Sequence, residues 1–111
     1  HSLPIKALSV NRLFMGRRFR TREYDLYEQE LSYLLPRTLK VDPNKKLKVD
    51  IVFGYSSTLT DVDGGIKGFL DVLQKMYQFN DRNIFLLNVE KEITKVGQEF
   101  IKFEIKPLET L

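Results

Sequence analysis

The chain has no cysteine, which excludes disulfide staples and thiolate metal sites. It has no tryptophan and a single histidine, His1. His1-Ser2 is set aside as an expression remnant, so Ser/His/Asp and Cys/His nucleophilic arrangements are excluded as well. Any bound metal must then rest on oxygen ligands. No run of about 18 apolar residues occurs, and no signal-peptide pattern is visible, so a membrane span is not expected and a cytoplasmic location is. A phosphate-cradling glycine loop is also missing. Gly64-Gly65 lacks the spacing and the lysine that such a loop needs. Internal repeats, low-complexity stretches and interdomain linkers are absent.

What is present fits one domain. The 111 residues are 42% apolar and 30% charged, enough for one modest core and unlike a disordered chain. The net charge of +3 is too small to identify a partner, so its placement matters more than its size.

Leu3 to Leu8 reads as a first strand, near a sheet edge because of Pro4. Ser9 to Arg20 follows neither period and reads as a long loop. Thr21 is a candidate N-cap, with Glu23 and Asp25 in the following turn, and Tyr24, Tyr27, Leu31, Leu34 and Leu35 recur at helical spacing up to Pro36. Leu47, Val49, Ile51 and Phe53 alternate as in a half-buried strand. A second helix is expected from Val62, with Ile66, Phe69, Leu70, Leu73, Met76 and Tyr77 on one stripe. Ile84 to Ile93 and Glu99 to Ile105 read as strands joined in a hairpin by Thr94 to Gly97. The expected fold class is therefore α+β, a single small domain of order β-α-β-α-β-β. Its mixed β-sheet would carry two helices on one face.

Two clusters carry possible chemistry. Asp61 and Asp63 sit two apart where a loop enters the second helix, followed by Lys67 and Asp71 at helical spacing. Oxygen donors with a lysine nearby suit Mg²⁺, which can polarise a phosphoryl group. The same spacing equally suits an N-cap and a dipole-compensating first turn. Asp81 lies beyond the helix, roughly 27 Å away along a straight helix. It reaches Asp61 only if the chain folds back, or else reaches the site of a partner across a dimer interface. The second cluster is Arg12, Arg17, Arg18, Arg20 and Arg22, with Phe14 and Phe19 interleaved and no acid among them. Guanidinium groups grip phosphates and aromatics stack on bases, while the competing reading is a solvated loop whose phenylalanines enter the core.

Taken together, Asp61-Val62-Asp63, Ile66-Lys67, Phe69-Leu70-Asp71-Val72-Leu73 and Phe79-Asn80-Asp81-Arg82-Asn83-Ile84 resemble the signature of the RusA family of Holliday-junction resolvases. Leu8-Ser9-Val10-Asn11-Arg12 is similar to that family's N-terminal motif. The resemblance spans nearly the whole chain. It implies a small bacterial or phage-encoded homodimer that resolves four-way DNA junctions by paired, Mg²⁺-dependent nicks, with Mn²⁺ as an alternative ion. By motif position Asp61, Asp63 and Asp81 match the catalytic, metal-holding acids and Lys67 the essential lysine, while the role of Asp71 stays open. Arg12, Arg17, Arg18, Arg20, Arg22 and Lys67 would contact DNA. Phe69, Met76, Tyr77 and Phe79 crowd the second helix and its end, and some of them are expected to face the dimer partner. Gly64 stands where the family has asparagine, which favours an alternative reading: a branched-DNA-binding protein with weakened catalysis.

Overall fold

The computed structural model describes residues 1–16 and 19–109. Its strands are β1 (Ser2–Leu3), β2 (Phe14–Met15), β3 (Phe19–Arg20), β4 (Leu47–Tyr55), β5 (Ile84–Ile93) and β6 (Phe100–Pro107). Its helices are α1 (Arg22–Leu34) and α2 (Ile66–Tyr77). The expected α+β order is thus present, with a small two-stranded ribbon, β2-β3, added between β1 and α1. Among the described residues, no helix is long and apolar enough to cross a membrane.

The main sheet runs β1-β6-β4-β5. β4 is its centre, antiparallel to β6 and parallel to β5. Alternation in β4 sends Leu47, Val49, Ile51, Phe53 and Tyr55 into the core. β6 adds Ile101, Phe103 and Ile105 to the same face. Phe69 of α2 packs edge-on against both Phe53 and Phe103, at 6.2 and 5.5 Å between ring centroids. α1 closes over this layer with Tyr24, Tyr27 and Leu31 buried. Thr21 caps α1 by accepting the Tyr24 N–H at 3.0 Å, and Leu35 turns extended ahead of Pro36.

Four expectations are corrected. β5 and β6 do not form a hairpin: β4 lies between them, and Thr94 to Gly97 crosses the end of β4. Gly97 does take a positive φ of 86°, so the turn chemistry was right and the pairing was not. The first strand is only Ser2–Leu3, so Ser2 belongs to the sheet, opposite Lys102. The second helix starts at Ile66 rather than Val62, because residues 61–64 form a tight turn, Gly64 N–H to Asp61 C=O at 3.3 Å. Finally, Phe69 and Phe79 are buried in the chain's own core, and Met76 and Tyr77 pack against it, with the Tyr77 hydroxyl donating to Pro36 C=O at 2.7 Å. β5, by contrast, exposes four apolar side chains: Phe85, Leu86, Leu87 and Ile93.

Candidate functional site

The loop between β4 and α2 carries Asp61 and Asp63, and it is tied down from two sides. Val10 N–H donates to Gly64 C=O at 2.8 Å, joining the Ser9-Val10-Asn11 segment to the acidic loop. From the other side the Lys91 ammonium, on β5, donates to the carbonyls of Thr58 and Thr60 at 3.1 and 2.7 Å. Gly65 closes the loop onto the core. A Cβ there would stand 2.9 Å from both Ala7 Cβ and the Tyr55 hydroxyl. Its φ of −94° is open to any residue, so the demand for glycine is spatial. Gly64, two residues from the start of α2, has only the Asp61 carbonyl at 3.5 Å near its would-be Cβ, an ordinary contact.

These neighbours lead to opposite expectations. Gly65→Ala forces Ala7 or Tyr55 to move and lowers stability by about 1–3 kcal/mol, the usual effect of overpacking. Gly64→Asn meets open space and leaves the melting temperature near wild type. Thermal denaturation of the two variants, followed by circular dichroism, checks this. Equal destabilisation of both would mean the loop is not seated on Gly65.

Asp61 does not cap α2. The N-cap is Gly65, which makes no side-chain capping bond, and no acid lies in the first turn. The carboxylates are therefore not consumed by the helix. This separates the aspartates of the chain into two groups. Asp25 pairs with Arg20, Asp42 accepts the Asn44 N–H, Asp50 accepts from Asn88, and Asp71 faces both Lys67 and Tyr24. Asp61, Asp63 and Asp81 are exposed, and among the described residues their side chains make neither an ion pair nor a hydrogen bond. Carboxylates without an internal partner keep their full charge available to a ligand.

Beside the acidic loop lies a cleft of about 330 Å³ lined by Lys6, Ser9, Arg12, Tyr55, Thr60 and Gly64. The Tyr55 hydroxyl is buried there without a hydrogen-bond partner among the described residues. Burial, with the charge of Asp63 added, pushes it up to about 12, so it is a neutral donor at neutral pH. Lys67 lies 3.6 Å from Asp71 Oδ2, the same oxygen that accepts from the Tyr24 hydroxyl at 3.4 Å. Asp71 thus holds Lys67 along α2, one turn beyond the acidic loop. Tyr24 is itself pushed up to about 12 by burial and then by the Asp71 charge.

Asp81 sits at the far end of α2, where its N–H donates to the Gln74 side chain at 2.8 Å. A helix of 12 residues separates it from the loop, roughly 18 Å of rise. Among the described residues, no three acidic or histidine groups stand close enough to hold a metal ion. Asp61 and Asp63 have the hard oxygen donors that Mg²⁺ or Mn²⁺ takes, but one chain alone does not bring the third acid to them.

The arginine cluster divides. Arg12 pairs with Glu23 at 3.2 Å, both well exposed. Arg20 is half-buried: it meets Asp25 at 3.0 Å and Glu28, and its guanidinium lies 3.9 Å from the centroid of the Tyr24 ring. Glu28 also receives Lys75 at 2.6 Å. Burial opposes ionisation of Glu28, yet the hydrogen bonds from Lys75 and Arg20 outweigh it and hold the carboxyl below the usual range. Arg20 thus fastens the β2-β3 ribbon to α1. Arg22 is exposed on the first turn of α1, and Arg17 and Arg18 lie outside the described residues. Phe19 is 71% exposed and Met15 62%, and Phe14 leans edge-on against Tyr24. The phenylalanines of this segment therefore do not fill the core.

Sequence reasoning missed Tyr55 and Lys91. Tyr55 was within reach, as it extends the alternation of Leu47 to Phe53 by one step. Nothing local marks Lys91, whose partners are brought by the parallel pairing of β4 and β5. In comparisons with known proteins, no protein-family model matches this chain, and no curated protein is significantly similar to it in sequence.

Proposed function

We propose that this protein is a structure-specific endonuclease of the RusA type, acting on four-way DNA junctions by hydrolysis of phosphodiester bonds. The observation that carries the reading is the division of the aspartates. The three that match the family motif are those whose side chains have no internal role. The contact between Val10 and Gly64 adds support, since it places the N-terminal motif against the acidic one. In this reading Asp61 and Asp63, joined by Asp81, hold Mg²⁺ or Mn²⁺, which when bound polarises the phosphoryl group. Lys67, steered by Asp71, holds the scissile phosphate and balances charge as it develops there. Lys6 and Arg12 line the cleft where a strand would pass. The exposed Phe19 and Met15, beside Arg17 and Arg18 in sequence, supply stacking surface and positive charge for the branch. Paired nicks require two sites, hence a homodimer.

The second reading is a branched-DNA-binding protein with weakened catalysis, favoured by Gly64 in place of the family asparagine. The open space at Gly64 bears on it: packing would admit asparagine there. A synthetic four-way junction, incubated with and without Mg²⁺ beside a linear duplex, separates the two. Symmetric nicks in the junction alone, dependent on the ion, are expected. Tight junction binding without nicks would replace the first reading by the second, and no preference for the junction would remove both.

A further inference from the structure

Among the described residues the most exposed large apolar side chain is Leu59, at 90%. It lies at the tip of the loop that leads from β4 to Asp61. Single exposed leucines are common on protein surfaces and by themselves mean nothing. The backbone around Leu59 sets it apart. The carbonyls of its two neighbours, Thr58 and Thr60, converge on the Lys91 ammonium at 3.1 and 2.7 Å. Its own N–H donates to the Ser57 hydroxyl oxygen at 3.2 Å. Three hydrogen bonds therefore pin the turn at Thr58-Leu59 and leave its one large apolar side chain in solvent. A tip fixed in advance loses little freedom when it meets a ligand.

We propose that Leu59 is a wedge that enters the base stack beside the phosphate to be cut and unstacks the bases next to it at the branch of the junction. The proposal rests on the endonuclease reading and names the residue by which that site opens its substrate. Leu59 stands two residues before Asp61, so their Cα atoms are no more than about 7 Å apart. Stacked nucleotides repeat at about 3.4 Å along one strand. Leu59 is thus within roughly two base steps of a phosphate held at Asp61.

The surroundings of the tip favour a base step over a protein partner. Thr60, the next residue, lines the cleft together with Lys6 and Arg12, so a strand drawn in by those cations passes the tip. Residues 56–60 carry no charge, so no ionised group of this segment has to leave water when the side chain enters the stack. The remaining four are serines and threonines, so the turn lacks the contiguous apolar core of a protein interface. Aliphatic side chains inserted between base steps unstack and kink a duplex, and a branch point, where stacking is already interrupted, resists this least.

The test uses four-way junctions carrying 2-aminopurine on either side of the nicked phosphate, bound by the full chain without divalent ion. This base brightens when it unstacks. Wild-type protein is expected to raise the fluorescence, and Leu59→Ala to abolish the rise at an unchanged melting temperature, because the side chain is exposed. With Mg²⁺, Leu59→Ala lowers single-turnover nicking by at least about 10-fold, the scale on which one base step stays stacked or opens. Leu59→Met, also long and apolar, restores both signals. The proposal is overturned by a fluorescence rise that survives Leu59→Ala or by an alanine variant that nicks at the wild-type rate. It is also overturned by a fall in light-scattering mass on that substitution, which would assign Leu59 to a protein contact. Those outcomes leave the endonuclease reading standing. A wild-type protein that binds and unstacks the junction without nicking it would keep the wedge and remove the endonuclease reading, and one that does not bind the junction would remove both.

Discussion

On the endonuclease reading, Asp61→Asn and Asp63→Asn are each expected to lower junction cleavage by on the order of 10²-fold or more, the scale of losing one electrostatic element from a reacting centre, while junction binding should stay near wild type. Asparagine keeps the size of the side chain and removes its charge. Neither carboxylate is engaged in an ion pair or a helix cap among the described residues, so the fold loses nothing with it. A neutral side chain also repels phosphate less, so binding has no electrostatic reason to weaken. Asp50→Asn is the control. Asp50 holds Asn88 on the opposite face of the sheet, and its replacement leaves cleavage unchanged. The readouts are the single-turnover nicking rate on a labelled four-way junction and the dissociation constant in a gel shift without divalent ion. Full cleavage by either aspartate variant would remove the acidic loop from the active site.

On the same reading, replacing Arg17 and Arg18 together with alanine is expected to weaken binding to branched DNA and flatten its salt dependence. Each lost phosphate contact removes about 0.9 from the slope of log affinity against log salt, so the pair removes up to roughly 1.8. Arg20→Ala is expected to behave differently, although it belongs to the same cluster in sequence. Its guanidinium is already held by Asp25, Glu28 and the Tyr24 ring. Its loss therefore lowers the melting temperature and leaves the salt slope nearly intact. Affinity titrations over a salt series, with thermal melts of the same proteins, distinguish the two effects. An unchanged slope for the Arg17/Arg18 variant would mean that this segment does not touch the DNA backbone.

What the sequence by itself determined is the set of local features. The 3.6-residue period produced α1 with its Thr21 cap, the alternation of Leu47 to Phe53 produced β4, and Pro4 marked an edge. These rest on steric and hydrogen-bonding rules within a few residues, so a short window contains them. The acids were visible as a motif for the same reason. Tertiary structure alone decided the rest. A turn at Thr94 to Gly97 permits a hairpin but does not compel one. β4, already apolar on the core-facing side, took the central position, and β5 was left parallel at the edge. Whether Arg20 grips DNA or α1 depended on where the β2-β3 ribbon meets Asp25 and Glu28. The start of α2 depended on how closely Gly65 approaches Ala7 and Tyr55, a contact between distant parts of the chain. The separation of Asp81 from Asp61 and Asp63 depended on the parallel run of β4 and β5, which puts the two ends of α2 at opposite ends of the sheet. Local chemistry chooses an element and its exposed face, but strand order and side-chain partnership come from burying all the apolar faces at once, and no single segment carries that information.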